Sequence, residues 1–263
     1  MTETELDLNG YEEKQRKLHF EWLAPAFIQP KRTFETIARQ EKGVWLTPLL
    51  VLSVLALFMI FAGGPMRLLN TEMNQTIPES FQWMTEEQQA QYLQSLEDAK
   101  GPLFIYVLPA VGALAGVWLG WLVLGSVLHL SLTLNGSRST STASLNIAAW
   151  ASLPLAIRYL VQAVYLLISK TLIQKAGLSG FIPADSNGIV TFIGYMLAFV
   201  DLFLVWQVVL LILGAGPVSG MPRGKVLLAV FAAVLVALIL FALPGFISSQ
   251  LSGLSSSQSF YFF

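Results

Sequence analysis

Five long apolar runs, separated by polar segments, dominate the hydrophobic pattern of the chain. Their approximate bounds are 45–62, 103–132, 143–168, 189–213 and 226–247. A helix rises about 1.5 Å per residue, so each run is long enough to cross a hydrocarbon core of about 30 Å. The pattern predicts an all-α integral membrane protein, a bundle of five transmembrane helices preceded by an N-terminal amphipathic segment.

The five runs define a membrane domain of residues 45–247. Three polar segments accompany it, one before it, one within it and one after it. Residues 1–44 form the N-terminal segment, residues 63–102 a long loop after the first run, and residues 248–263 a serine-rich tail. In the loop, Thr85 and Gln88 have the spacing of a capping box, which predicts that a short helix begins there.

The last part of the N-terminal segment has the pattern of a helix lying on a membrane surface. Phe34 and Ile37 fall on one helical face, and the other face is basic, with Lys31, Arg32, Arg39 and Lys42. Such a helix binds an anionic leaflet through its apolar side and its positive charge together. The alternative is a solvated linker next to the membrane.

Two formal charges of opposite sign lie inside the apolar runs. Arg158 is near the middle of the third run and Asp201 near the middle of the fourth. An unpaired charge at the centre of a bilayer costs about 2.5–3.5 kcal/mol on insertion scales. We therefore expect the two residues to pair near the midplane as a fold-specifying ion pair. A proton or ion path, or separate partners for each charge, are the alternatives.

The second run carries Gly112, Gly116 and Gly120, which form two overlapping GxxxG spacings. Glycines at this spacing allow another helix to approach closely in lipid, so they predict tight helix packing. The pattern does not say whether the partner helix belongs to this chain or to another. A lipid or ligand groove beside Trp118 and Trp121 is the alternative.

Composition agrees with the membrane class and excludes several other classes. The chain is 55% hydrophobic and 12% charged, with a net charge of −1 and no cysteine. It therefore has no overall basic field to attract nucleic acid and cannot form a disulfide or a thiolate metal site. Ser126 and His129 are three residues apart, but no GxSxG, HExxH or Walker motif accompanies them. We expect no catalytic site, metal site or cofactor.

The distribution of lysine and arginine predicts the orientation. With the N-terminus inside, the segments on the inner side hold ten of these residues and those on the outer side hold four. Because basic residues favour the cytoplasmic side, we expect a multi-pass protein of the cell membrane with a cytoplasmic N-terminus and an external C-terminus.

The order of these features resembles the Yip1 domain family. Members have a Pro-x-x-Thr-Phe motif before the first of five spans, and here Pro30–Phe34 reads PKRTF at that position. Residues 142–158, in which a polar loop leads to a helix with an internal proline, and residues 201–211, which follow the pattern D-x-F-x-x-W-x-x-x-L, are also similar to the family. The resemblance extends over about residues 20–245.

This resemblance implies an α-helical membrane protein without known catalysis. Eukaryotic members are linked to small Rab-type GTPases and vesicle traffic, and some bacterial members to ABC-type export systems. The short N-terminal segment and the serine-rich tail look more like the bacterial branch. We expect an accessory or scaffold protein in contact with the lipid bilayer, with other membrane subunits such as ABC-type exporter components, or with a second copy. The alternative is a transporter or channel subunit that uses Arg158 and Asp201.

Overall fold

The computed structural model describes residues 18–75, 77–183 and 186–254, which are helical and contain no β-strand. The α-helices of these residues, α1 to α10 in chain order, are Leu23–Ile28, Pro30–Ala38, Leu46–Met73, Glu86–Ala99, Leu108–Leu134, Ser141–Ala151, Leu153–Ser169, Gly188–Leu197, Leu202–Ser219 and Arg223–Leu254. Short helical turns of other types are Phe20–Trp22, Glu79–Trp83, Leu103–Val107 and Gly177–Phe181.

Five helical segments within the described residues are long and apolar enough to cross a membrane. They are Leu46–Met73, Leu103–Leu134, Ser141–Ser169, Leu202–Ser219 and Arg223–Leu251. This confirms the predicted all-α bundle of five transmembrane helices, and the chain is a multi-pass membrane protein.

The first spanning helix extends beyond the apolar run that predicts it. The run ends near residue 62, whereas α3 continues to Met73 and includes Arg67. The Arg67 side chain donates to the backbone carbonyl oxygens of Ile60 and Ile105, the latter at 3.1 Å. These bonds hold the Arg67 guanidinium against the bundle. Residues 63–73, which were predicted to belong to a polar loop, are therefore part of α3.

The loop helix begins where the sequence predicts it, whereas the last span extends beyond its predicted end. The predicted capping box is confirmed, because the Thr85 side chain accepts from the Gln88 backbone and the Gln88 side chain accepts from the Thr85 backbone. The helix that they begin, α4, ends at Ala99. The last span, α10, continues into the serine-rich tail as far as Leu254, and residues 255–263 lie outside the described part of the chain.

The third span is divided at Ser152 into α6 and α7. Pro154 follows two residues later and has no backbone N–H to donate to the carbonyl of Trp150. The Ser152 hydroxyl donates to the Ala148 carbonyl at 2.8 Å, which fixes the junction by a side-chain bond.

The fourth apolar run is not the continuous helix predicted for residues 189–213. It is divided into α8 and α9, and residues 198–201 between them are not helical. Asp201 is the N-cap of α9, because its side chain accepts a hydrogen bond from the backbone N–H of Leu204 at 2.9 Å. A carboxylate at this position stabilises a helix start, so the acidic residue ends one helix and begins another.

The buried centre of the bundle lies where α5, α6, α9 and α10 meet. One large side chain from each of these helices is fully buried there: Leu128, Trp150, Leu211 and Val230. On another side of the bundle, α3 packs along α7 and α5. This arrangement brings the third and fourth spans side by side, together with the two charges that they carry.

Candidate functional site

Arg158 and Asp201 lie next to each other, on α7 and at the start of α9. Arg158 Nε is 3.1 Å from Asp201 Oδ2. The other carboxylate oxygen, Oδ1, accepts the hydrogen bond from Leu204 that caps α9. The carboxylate therefore begins one helix with one oxygen and binds the neighbouring helix with the other, so the pair links α7 to α9 with no net charge.

The same guanidinium reaches the non-helical residues between α8 and α9. Arg158 Nη2 donates to the carbonyl oxygen of Ala198 at 3.4 Å. The carbonyl oxygen of Val200 accepts from the backbone N–H of Leu178 at 3.1 Å. Backbone groups freed by a helix break inside a membrane protein need such partners. The arginine and the Leu178 turn together supply them.

The turn Gly177–Phe181 covers this break, and its glycine allows the close approach. Gly177 has a φ of 54°, in the left-handed region that favours glycine. A Cβ added to this residue would lie 2.7 Å from three backbone carbonyl oxygens, those of Leu197, Ala198 and Val200. Any larger residue would force the turn away from the carbonyl groups.

The ion pair lies at the start of α9, and its position near the membrane midplane stays a prediction. Helix α9 has 18 residues, so it is about 27 Å long and close to the hydrocarbon thickness of about 30 Å. Asp201 is the N-cap of this helix and precedes its first residue, so the ion pair is at the start of α9. The Arg158 and Asp201 side chains are 16% and 20% exposed in the isolated chain.

A second polar link joins the same two spans deeper in the bundle. Gln207 of α9 is 4% exposed, and its side-chain nitrogen donates to the Ser152 hydroxyl at 2.8 Å. The hydroxyl in turn donates to the Ala148 carbonyl. The sequence analysis missed this link, although an amide inside an apolar run is a signal that a polar partner is needed.

The predicted surface helix, residues 30–38, does not present its apolar face to lipid. Phe34 and Ile37 of α2 are 0% exposed, because α2 packs on α6 and α9. A Cβ added to Gly214 of α9 would be 2.7 Å from a Phe34 ring carbon, so this glycine makes the space that the ring occupies. The predicted lipid contact of Phe34 and Ile37 is wrong, whereas the basic members of the set, Lys31, Arg32 and Arg39, are exposed.

Two side chains of α6 hold the residues that join α2 to the first span. Asn146 accepts from the Val44 backbone N–H at 2.8 Å and donates to the Lys42 carbonyl oxygen at 3.0 Å. Trp150 Nε1 donates to the Val44 carbonyl oxygen at 3.0 Å. Both side chains are 0% exposed. We call Asn146 and Trp150 the α6 clamp, and the sequence analysis missed it because no local pattern connects residues so far apart.

The glycine stripe of α5 has no partner helix within the described chain over most of its length. A Cβ added to Gly112 or Gly116 would meet nothing within 4 Å, and one at Gly120 would lie 3.8 Å from Phe241. The close contact is instead at Gly125, where a Cβ would be 2.6 Å from Leu145 of α6. Among the described residues no helix packs tightly at Gly112 or Gly116, so of the two partners left open by the sequence, a helix of another chain stays the prediction.

The structure does not join the remaining titratable candidates into a site. Ser126 is exposed, and His129 Nδ1 is buried without a hydrogen-bond partner among the described residues. His19 contacts Glu21 at 3.0 Å and stacks on Trp22. Among the described residues, no group of three or more His, Cys, Asp or Glu side chains could hold a metal ion.

Comparison with known protein families gives a match. A family model described as the Yip1 domain matches residues 26–244, from α1 into α10. The matched range contains the ion pair, the broken fourth run and the α6 clamp. No curated protein and no solved structure matches the chain.

Proposed function

The chain belongs to the Yip1 domain family, and from this membership we propose that it is a non-enzymatic accessory or scaffold protein of a larger membrane assembly. Its membrane is the cell membrane, with the N-terminus in the cytoplasm and the C-terminus outside. This orientation puts ten lysines and arginines on the cytoplasmic side and four on the outer side. Its partners are other membrane subunits, and the link of some bacterial members of the family to ABC-type export systems suggests export components as their class.

The bonding of Arg158 and Asp201 is the observation that carries this proposal. Arg158 binds a carboxylate and a backbone carbonyl, and Asp201 binds a guanidinium and a helix N-terminus. Both charges are used to hold α7, α8 and α9 together. Gln207 and Ser152 join the same spans in the same way. These internal polar groups support a role in building a rigid bundle that other subunits can contact.

Purification from mild detergent tests the proposal. The native protein should copurify with a stoichiometric membrane partner, and an ATPase or an adaptor would identify an export system. The matched control is Trp83→Ala, which changes an 83% exposed side chain and should leave the bundle intact. Recovery of the folded protein alone under conditions that preserve known complexes would contradict the accessory role.

A transporter or channel subunit is the second candidate, and the break between α8 and α9 favours it. Secondary transporters form their binding sites from discontinuous helices whose unwound residues lie in the membrane. Residues 198–201 are such a segment, next to an ion pair. Uptake of solutes or ions by liposomes that contain only this protein would support this candidate and contradict the first.

Variants of the pair separate a structural role from a mechanistic one. Arg158→Leu and Asp201→Leu should each reduce the folded yield, because each leaves a charge without its partner, and the double variant should recover part of the loss. A double variant as poor as the two losses added together would mean that the residues are not partners. A double variant that folds well but does not transport solute would assign the pair to a transport mechanism.

A further inference from the structure

The corner between α1 and α2 exposes apolar and basic side chains together. Ile28, the last residue of α1, is 76% exposed. Lys31 and Arg32 in the first turn of α2 are exposed, and within the described residues their side chains have no hydrogen bond or ion pair. The two cations line an open hollow with Gln29, Pro30 and the half-buried Glu35. The hollow therefore has two positive charges and one negative charge.

The packing of α2 places this corner beside one end of the spans. Phe34 of α2 packs against Gly214, which is five residues before Ser219 at the end of α9. Five residues correspond to about 8 Å of helix. Since α9 is nearly as long as the hydrocarbon core is thick, its end marks a membrane boundary. The side of α2 that faces away from the bundle consequently meets the layer where head groups begin.

Within the part of the chain that the structure describes, this end of the bundle has an excess of basic side chains and the opposite end an excess of acidic ones. Among the described residues, the end that carries the corner has three acidic side chains, Glu21, Glu35 and Glu41, and seven basic ones, Lys31, Arg32, Arg39, Lys42, Arg138, Arg223 and Lys225. The opposite end has four basic side chains, Arg67, Lys100, Lys170 and Lys175, and six acidic ones, Glu72, Glu79, Glu86, Glu87, Glu97 and Asp98.

We infer that the corner formed by Ile28, Lys31 and Arg32 binds the head groups of anionic lipids. Exposed cations attract an anionic surface, and an exposed isoleucine beside them enters the interface between head groups and acyl chains. Phe34 and Ile37 anchor α2 to the bundle. The helix is therefore already ordered when a lipid binds to Lys31 and Arg32, and binding loses no conformational entropy of the helix. This contact differs from the predicted surface helix, whose apolar face would have covered the lipid.

Native mass spectrometry of the detergent-purified full chain tests this inference. The protein is titrated with phosphatidylglycerol and with phosphatidylcholine of the same acyl chains, and the parent should bind phosphatidylglycerol more tightly. A basic residue near an anionic surface contributes about fivefold in affinity, so Lys31→Gln with Arg32→Gln should weaken phosphatidylglycerol binding by about 25-fold at low salt. Ile28→Ser should weaken both lipids equally, because it removes apolar contact and no charge.

The control removes two positive charges from the opposite end of the bundle. Lys170→Gln with Lys175→Gln should keep the parent's preference for phosphatidylglycerol. An equal loss in both double variants, or no loss in the α2 variant, would overturn the inference. So would an α2 variant that keeps its lipid preference but no longer copurifies with a protein partner, because the corner would then be a protein interface.

Salt provides a measurement that needs no variant. Raising the ionic strength from about 0.05 to about 0.5 M should remove most of the parent's preference for phosphatidylglycerol, because exposed charges are screened. A preference that does not change with salt would overturn the electrostatic contact. The melting temperature of each variant, measured in the same detergent, should match that of the parent.

Discussion

Two groups of short amphipathic helices are attached to the membrane domain: α1 and α2 before the first span, and α4 after it. They differ in how far their apolar side chains are buried. Ala26 of α1 and Phe34 and Ile37 of α2 are 0% exposed and belong to the main core of the bundle. Helix α4 has no buried residue. Its attachment includes a hydrogen bond from Gln75 to the Leu96 carbonyl oxygen at 2.9 Å.

This difference shows what an amphipathic pattern does and does not determine. The pattern identifies the apolar side of a helix, but the surface that covers that side depends on residues elsewhere in the chain. For α2 this surface includes Gly214 of α9, which leaves room for Phe34. Trp83, just before α4, is 83% exposed, and Leu93, within α4, is 47% exposed. No comparable surface covers that region. Similar local patterns therefore lead to a core element in one case and a peripheral one in the other.

Removing one tryptophan from the bundle core and one from the region of α4 should give the largest difference in unfolding free energy. Trp150→Ala deletes a fully buried ring and its bond to Val44, and we expect a loss of about 3–5 kcal/mol in unfolding free energy. Trp83→Ala should change stability by less than about 0.5 kcal/mol, because the side chain is on the surface. Unfolding of both variants in one detergent compares them. Similar losses would show that the loop region contributes to the core as much as the clamp does.

Removing one side-chain amide from each region should give a smaller contrast. Asn146→Ala leaves the buried Val44 N–H without a partner and removes the bond to the partly exposed Lys42 carbonyl, which should cost about 2 kcal/mol. Gln75→Ala removes the single bond to Leu96 in a partly exposed place, and we expect less than about 1 kcal/mol. The midpoint of thermal unfolding measures both. A larger loss for Gln75→Ala would contradict the greater importance of the N-terminal attachment.

Removing a helix cap from each region should give the smallest contrast. Thr85→Ala weakens α4 by about 1 kcal/mol, which should accelerate amide hydrogen exchange in residues 86–99 but leave the melting temperature unchanged. Thr140 caps α6 by accepting from Ala143 at 3.2 Å, so Thr140→Ala should lower the melting temperature itself. A fall in melting temperature for Thr85→Ala would show that α4 unfolds together with the bundle.

The number of spans and the membrane class could be predicted from the sequence, because the length of each apolar run is sufficient for both. The capping box of α4 could also be predicted, since Thr85 and Gln88 interact within one helical turn. Arg158 and Asp201 were predicted to be partners from the cost of isolated charges, and the structure places them 3.1 Å apart. In each case a local pattern, or a single energetic cost, is sufficient.

The break in the fourth run could not be predicted in the same way. Residues 189–213 contain no proline and only one charge, so their hydrophobicity favours one long helix. Asp201 interrupts it because the carboxylate gains a helix N-terminus and a guanidinium at once. The second gain requires α7 beside it. The α6 clamp and the covering of Phe34 likewise depend on contacts between distant parts of the chain.

The α6 clamp has a consequence for the timing of biosynthesis. Asn146 and Val44 are 102 residues apart, which at about 5–20 residues per second corresponds to roughly 5–20 seconds of translation. During this interval three spans have not been completed, and neither α6 nor α9 is available to cover Phe34 and Ile37. Helices α1 and α2 therefore dock only after the spans that contain α6 and α9 have been inserted. Until then, the apolar side chains of α2 have no surface of this chain to cover them.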